Sequence, residues 1–198
     1  MSDYSAISNV NKTLISLLWN SIKEDSQANS IVATEDQISL SSPKAIESEP
    51  TKNLSLFLYQ ITELATMRNQ PTPLQESNKI RPPPLYLALH YLVTPYTQNT
   101  EKDDLLLGKI MQIFADNAIL RGSILNGSLA ENGADLKIVM DPLVIDDLNK
   151  LWAIFGTQYR LCVSYSVAPV IIELTREEEA ARVIEQKAEY TFIKRKKE

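Results

Sequence analysis

The sequence predicts an α/β (α+β) fold, a mixed or antiparallel sheet packed by about three helices and followed by a C-terminal extension. Three observations lead there. Several segments are apolar at every second residue and others at every third or fourth, which are the strand and helix periods. The two kinds are interspersed without a regular strand–helix alternation, which argues for a sheet with helices laid on it. After Leu174 the pattern gives way to charge.

The chain has 198 residues, enough for one domain or one domain with an appendage, and we divide it into a domain over 1–174 and a charged tail over 175–198. Its 44% hydrophobic and 23% charged residues suit a folded core. Twenty Lys and Arg against 25 Asp and Glu leave a net charge of −5, which argues against a general nucleic-acid binder. One cysteine, Cys162, excludes an intramolecular disulfide and any multi-cysteine metal site. Asp3 stands where a signal peptide would be basic. No run approaches the ~18–20 apolar residues of a membrane span, so folding in the cytoplasm without direct membrane insertion is expected.

The spacing of Ile7, Val10, Leu14, Leu17, Leu18 and Ile22 predicts a helix over 3–22, with Ser2 or Asp3 placed to cap it. The polar stretch 23–52 holds two β-prone pieces, 31–34 and 37–40, one of them a strand and the remainder loop. Residues 53–64 form a strand with Leu54, Leu56 and Leu58 on one face and Phe57, Tyr59 and Ile61 on the other. Residues 85–94 form a second, and apolar character on both faces implies cover on both sides, by helices or by a neighbouring subunit. Between them, 65–84 carries five prolines and is too long for an ordinary connection. As an extended arm of ten residues each way it would reach about 30 Å; the alternative is a mobile surface loop.

A second helix is predicted over 103–118, capped by Thr100 with Asp103 or by Asp103 itself. Residues 119–134 are glycine-rich, with a short helix placed at their start. Leu136, Ile138 and Met140 alternate as a strand that Asp141-Pro142 ends. Ile145, Leu148, Leu151, Trp152 and Phe155 make the buried stripe of a third helix over 144–155, closed by Gly156. Tyr159 to Val167 alternate as another strand, and Pro169 demotes 170–174 to an edge strand or a separate extended segment. In the tail, Tyr190 and Phe192 stand beside the basic run Lys194-Arg195-Lys196-Lys197, a combination suited to docking on a partner.

A search for chemistry returns little. Five glycines form no phosphate-binding loop, and no serine sits in a nucleophile elbow. His90 lies inside an apolar strand and reads as a satisfied core or interface histidine. Cys162 lies on the less apolar face of its strand and reads as a packing residue. Asp103-Asp104 and Asp146-Asp147 each sit in a first helical turn, where negative charge suits the helix dipole. Adjacent residues on a helix point about 100° apart and converge on no site. No catalytic, cofactor-binding or metal-binding residue is assigned, and no cofactor is expected.

Three stretches together resemble one family. They are Asn53–Thr62 with Met67-Arg68-Asn69, Pro83–Thr94 with Leu106–Met111, and Leu148–Trp152 with Tyr159–Tyr165. Their order and spacing are similar to the N-terminal domain of the cap (tail terminator) proteins of phage-tail-like contractile injection systems of the antifeeding-prophage and virulence-cassette type, over roughly residues 4–174. The resemblance implies a tail-terminator-like fold and a structural, non-enzymatic homohexameric ring assembled in the cytoplasm. As part of a phage-tail-like particle it would close the baseplate-distal end of the inner tube and engage the last sheath ring. Its implied partners are further copies of itself and the inner tube and sheath proteins. Met67, Arg68 and Asn69 in the long connection, and Tyr190, Phe192, Lys194, Arg195 and Lys196 in the tail, are the expected interface residues. The alternatives are a connector joining sheath or tube to a membrane or other component, or a small ligand-binding domain or enzyme without a recognisable motif.

Overall fold

A computed structural model describes residues 4–67, 79–80, 82–131, 133–175 and 178–179. In chain order its first elements are α1 (Ala6–Ile22), α2 (Ser26–Asn29), β1 (Ile38–Ser39), α3 (Pro43–Ile46), β2 (Leu54–Glu63), β3 (Lys79–Ile80) and β4 (Leu85–Pro95). Then come α4 (Thr100–Asp116), β5 (Ile119–Leu120), α5 (Ser128–Glu131), β6 (Leu136–Met140), α6 (Ile145–Phe155), β7 (Val163–Ile172) and β8 (Glu178–Glu179). Six strands form one sheet in the order β1-β2-β4-β7-β6-β5. β1 and β2 run parallel and the other neighbours antiparallel, so the sheet is mixed.

Alternation along β4 and β7 separates two layers of packing. Leu89 pairs with Val167, Tyr91 with Tyr165 and Val93 with Val163, and all of these join Leu54, Leu56 and the apolar stripes of α1 and α4 in the main core. Phe114 of α4 meets Tyr165 edge-on at 4.8 Å. On the opposite face, Leu92 packs with Trp152 and Phe155 of α6, and Phe57 meets Phe155 edge-on at 5.6 Å. The molecule is therefore a sheet with α1 and α4 on one face and α6 on the other.

Polar groups on α1 anchor the glycine-rich segment. Asn9 and Thr13 lie on the buried face of the helix. The Asn9 amide donates to Ser5 Oγ at 3.0 Å and Ser128 Oγ at 3.1 Å, and Thr13 Oγ1 accepts the Asn126 N–H at 2.9 Å. Gly127 approaches this network with φ +58°, and a β-carbon there would lie 2.8 Å from Asn9 Nδ2. Both the backbone conformation and the close approach require glycine.

The structure corrects several expectations. Of the two β-prone pieces, 37–40 supplies β1, while Ile31 and Val32 are buried without forming a strand. The stretch taken as loop holds α2 and α3, capped by the Asp25 and Ser42 side chains. α4 begins earlier, at Thr100. Asn99 caps it by accepting the Lys102 N–H, because Asp103 is turned back to accept from the Thr97 N–H and hydroxyl. Residues 119–120 are an edge strand, with a 3-10 turn after them at Gly122–Ile124. Ser5 occupies the cap position of α1 without a side-chain cap bond, and Ser2 and Asp3 lie outside the described residues. β7 starts at Val163, not Tyr159, and runs through Pro169 as an interior strand. Proline is tolerated there because the β4–β7 register shifts between Leu87 and Leu89, opposite residues 168–169, where a ladder bond is absent in any case.

Candidate assembly surface

The third helix is less covered than its pattern suggests. Trp152 and Phe155 are buried, but Ile145 is 66% exposed, Ile154 78% and Val144 64%. α6 is one helix over a broad sheet, so residues beside its contact line stay in water. Val139 adds to this exposed apolar surface on the same side of the molecule. A single domain rarely leaves this much aliphatic surface uncovered without an interaction use for it.

The sheet margin is also open. β1 pairs with only Leu54 and Ser55, so among the described residues no strand lies along the outer side of β2 from Leu56 to Thr62. The ladder that β2 makes with β4 is interrupted between Leu58 and Gln60, and a bulge of this kind twists an edge away from flat pairing.

The two regions expected to make contacts meet in the fold. β3, from the long connection, pairs antiparallel with β8, from the start of the tail, with Lys79 opposite Glu179 and Ile80 opposite Glu178. This pairing has the same sense as that of β4 with β7 and lies one residue off its register. Between the two ladders stand Pro82, Pro83 and Pro84, which have no N–H to donate. Met67 ends the 3-10 turn Ala65–Met67, half-buried, its N–H bonded to the Leu64 carbonyl at 3.0 Å. Arg68, Asn69, Tyr190, Phe192, Lys194, Arg195 and Lys196 lie outside the described residues.

His90 sits on the α6 side of the sheet with both ring nitrogens engaged. Nδ1 lies 2.9 Å from Asp141 Oδ2 and Nε2 2.9 Å from Thr62 Oγ1. The Tyr59 ring tilts against the imidazole at 6.1 Å, and its hydroxyl bonds Ser164 Oγ at 3.0 Å. An acid–imidazole–hydroxyl chain can move a proton in principle, but here it ties β2, β4 and the β6–α6 turn together. Sequence reading missed Thr62 and Asp141, which are 28 and 51 residues from His90 and carry no local signal. Burial raises the Cys162 thiol above its ordinary value of 9.0, offset in part by the Trp152 indole, so the sulfur is a poor nucleophile at neutral pH. Among the described residues no group of three or more His, Cys, Asp or Glu side chains is placed to hold a metal ion. Nor is any helix among them long and apolar enough to cross a membrane.

Comparison with known proteins now decides the family. The model of the Pvc16 N-terminal domain matches residues 9–186. The chain belongs to the Pvc16 N-terminal domain family. That match takes in both β3 and β8. Two solved structures have the same fold. One is the PVC sheath/tube terminator, in its extended state, of an extracellular contractile injection system, at 18% identity and a TM-score of 0.64 over 93% of this chain. The other is the tube-terminating cap of the anti-feeding prophage, at 20% identity and a TM-score of 0.59 over 91% of this chain. The chain spans 64% and 60% of the lengths of these two proteins. No curated protein matches it. The mixed sheet with three principal helices is thus a terminator-like fold of this family.

Proposed function

We propose that this chain is the terminator of a contractile injection system, a structural component that closes the baseplate-distal end of the inner tube and engages the last sheath ring. Membership of the Pvc16 N-terminal domain family is the observation that carries this reading. The likeness to a sheath/tube terminator and to a tube-terminating cap supports it. The reading assembles the chain in the cytoplasm as a homohexameric ring, with tube and sheath proteins as its other partners. Closure is the physical requirement, because a head-to-tail interface that does not close adds subunits without end. The exposed aliphatic residues of α6 and the paired strands β3 and β8 supply contact surface. Residues 1–174 are proposed as the ring domain and 175–198 as a charged tail. Met67, Arg68, Asn69, Tyr190, Phe192, Lys194, Arg195 and Lys196 are proposed as interface residues. The chain needs no cofactor and no turnover for this role.

The test is to remove the chain from a strain that builds the particles and measure tube and sheath lengths by electron microscopy. Loss of uniform length, restored when the chain is supplied again, is expected. Particles of unchanged length and unchanged ends would overturn the reading.

A further inference from the structure

Away from α6, a groove of about 730 Å³ lies between α2 and α4. Its floor is apolar. Ala28 and Ile31 come from one side, and from α4 come Leu105, 43% exposed, and Gly108. Gly108 is in mid-helix, where glycine costs roughly 0.8–1 kcal/mol relative to alanine, and a β-carbon there would touch nothing within 4 Å. Packing within the domain does not demand this glycine. Its effect is to keep the floor of the groove low, so that another backbone can come close to the helix.

The rim is mostly acidic. Glu101 and Asp104 stand on it beside Asp25, and the groove runs on past Glu24 and Asp116. Lys109 is the one cation on this lining, and it is already bonded to Asp25 at 2.9 Å. An occupant must therefore be extended, apolar in part and basic.

One segment of this chain has that composition. Tyr190-Thr-Phe-Ile-Lys-Arg-Lys-Lys197 places Tyr190, Phe192 and Ile193 beside four consecutive cations in a chain that is acidic overall. Lengths agree as well. From Thr100 to Asp116 the helix extends about 24 Å at 1.5 Å per residue. Eight extended residues cover about 26 Å at 3.3 Å each. β7 ends at Ile172, opposite Leu85, whereas α4 starts five residues after Pro95, so the Glu101 end of the groove is at the other end of β4.

We propose that the segment Tyr190–Lys197 of one copy docks in the α2–α4 groove of a second copy, with its aromatic residues over Leu105 and Gly108 and its cations against Glu101 and Asp104. The proposal rests on the ring reading and deepens it by naming two further surfaces that join neighbours. It is tested on purified full-length protein without particles, so its failure would leave the terminator role standing. Conversely, a failed particle experiment would leave the groove to be tested by itself.

Two single-cysteine full-length variants, Leu105→Cys and Phe192→Cys, each also carrying Cys162→Ser and tags of different size, are mixed and oxidised. A disulfide between the two differently tagged chains is expected. Gly108→Leu favours the helix while filling the floor, and should cut the yield about tenfold if docking is worth about 1.4 kcal/mol. Glu101→Lys with Asp104→Lys should do the same, and Lys194→Glu with Lys196→Glu in the other chain should restore it. Absence of the mixed disulfide, or a yield insensitive to Gly108→Leu and to charge reversal, overturns the proposal. So does a Leu105→Cys/Phe192→Cys chain that closes only within itself.

Discussion

Replacing Gly127 with alanine tests how the glycine-rich segment is held to α1. The new β-carbon would sit 2.8–2.9 Å from three atoms of the Asn9 side chain, inside the approach real β-carbons make. It would also hold a non-glycine residue at φ +58°, which costs about 1–2 kcal/mol. Asn9 must move, and it is only 8% exposed, so its bonds to Ser5 and Ser128 are put at risk with little water to replace them. Each is worth about 0.5–1.5 kcal/mol. Together the loss is about 2–5 kcal/mol, a large part of a domain's total of roughly 5–15 kcal/mol. Urea unfolding measures it as a lowered midpoint at constant slope. Gly133→Ala is the control, since Gly133 has φ +61° with open space around it and should lose only the conformational part, about 1–2 kcal/mol. If Gly127→Ala costs no more than Gly133→Ala, the Asn9 contact does not hold the segment and the reasoning fails.

Other perturbations probe the sheet and its exposed surface. His90→Ala should cost about 1–3 kcal/mol by leaving Thr62 and Asp141 without their shared partner, and Asp141→Asn less; a urea midpoint unchanged by both would show that the chain contributes nothing. Ile145→Glu with Ile154→Glu should leave the urea midpoint within about 0.5 kcal/mol of the parent while abolishing self-association in sedimentation, because both side chains stand in water in the isolated domain. Retained association would remove α6 from the interface. Burial holds the Tyr91 phenol well above its ordinary value of 10.0, and Tyr96 likewise. The folded chain therefore binds these protons more tightly than the unfolded chain, so the stabilisation is full below about pH 10 and is lost as pH rises toward the folded values. Urea midpoints should be level in mildly alkaline buffer and fall above about pH 10, and Tyr91→Phe should flatten that fall; an equally steep fall in the variant would exclude Tyr91 as its source.

Much of the fold is legible because periodicity is a local signal. β2, β4 and β6 and the three long helices follow from spacing that repeats over five or more residues. The two outer strands are two residues each, too short for alternation to register, so β5 was missed and β1 was narrowed to one of two pieces. Caps went astray for a related reason. Asn99 and Asp103 are both good cap residues, and only the turn at Thr97 determines that Asp103 faces backward. The surface was harder. An apolar stripe tells which side of α6 is greasy but not how wide the layer beneath it is, and Ile145 lies past its edge. His90 reads as satisfied from sequence, yet its partners come from two other strands' ends and are visible only in three dimensions. Pro169 shows the converse. It would normally exclude an interior strand, but the register shift opposite it removes the penalty.

The central claim, that this chain terminates a contractile particle, is tested most directly by electron cryomicroscopy of intact particles carrying a tagged copy. The account predicts a closed ring of this domain at the end of tube and sheath far from the baseplate, and nowhere else. Density for the chain along the shaft or at the baseplate, or a distal end built without it, would contradict the account.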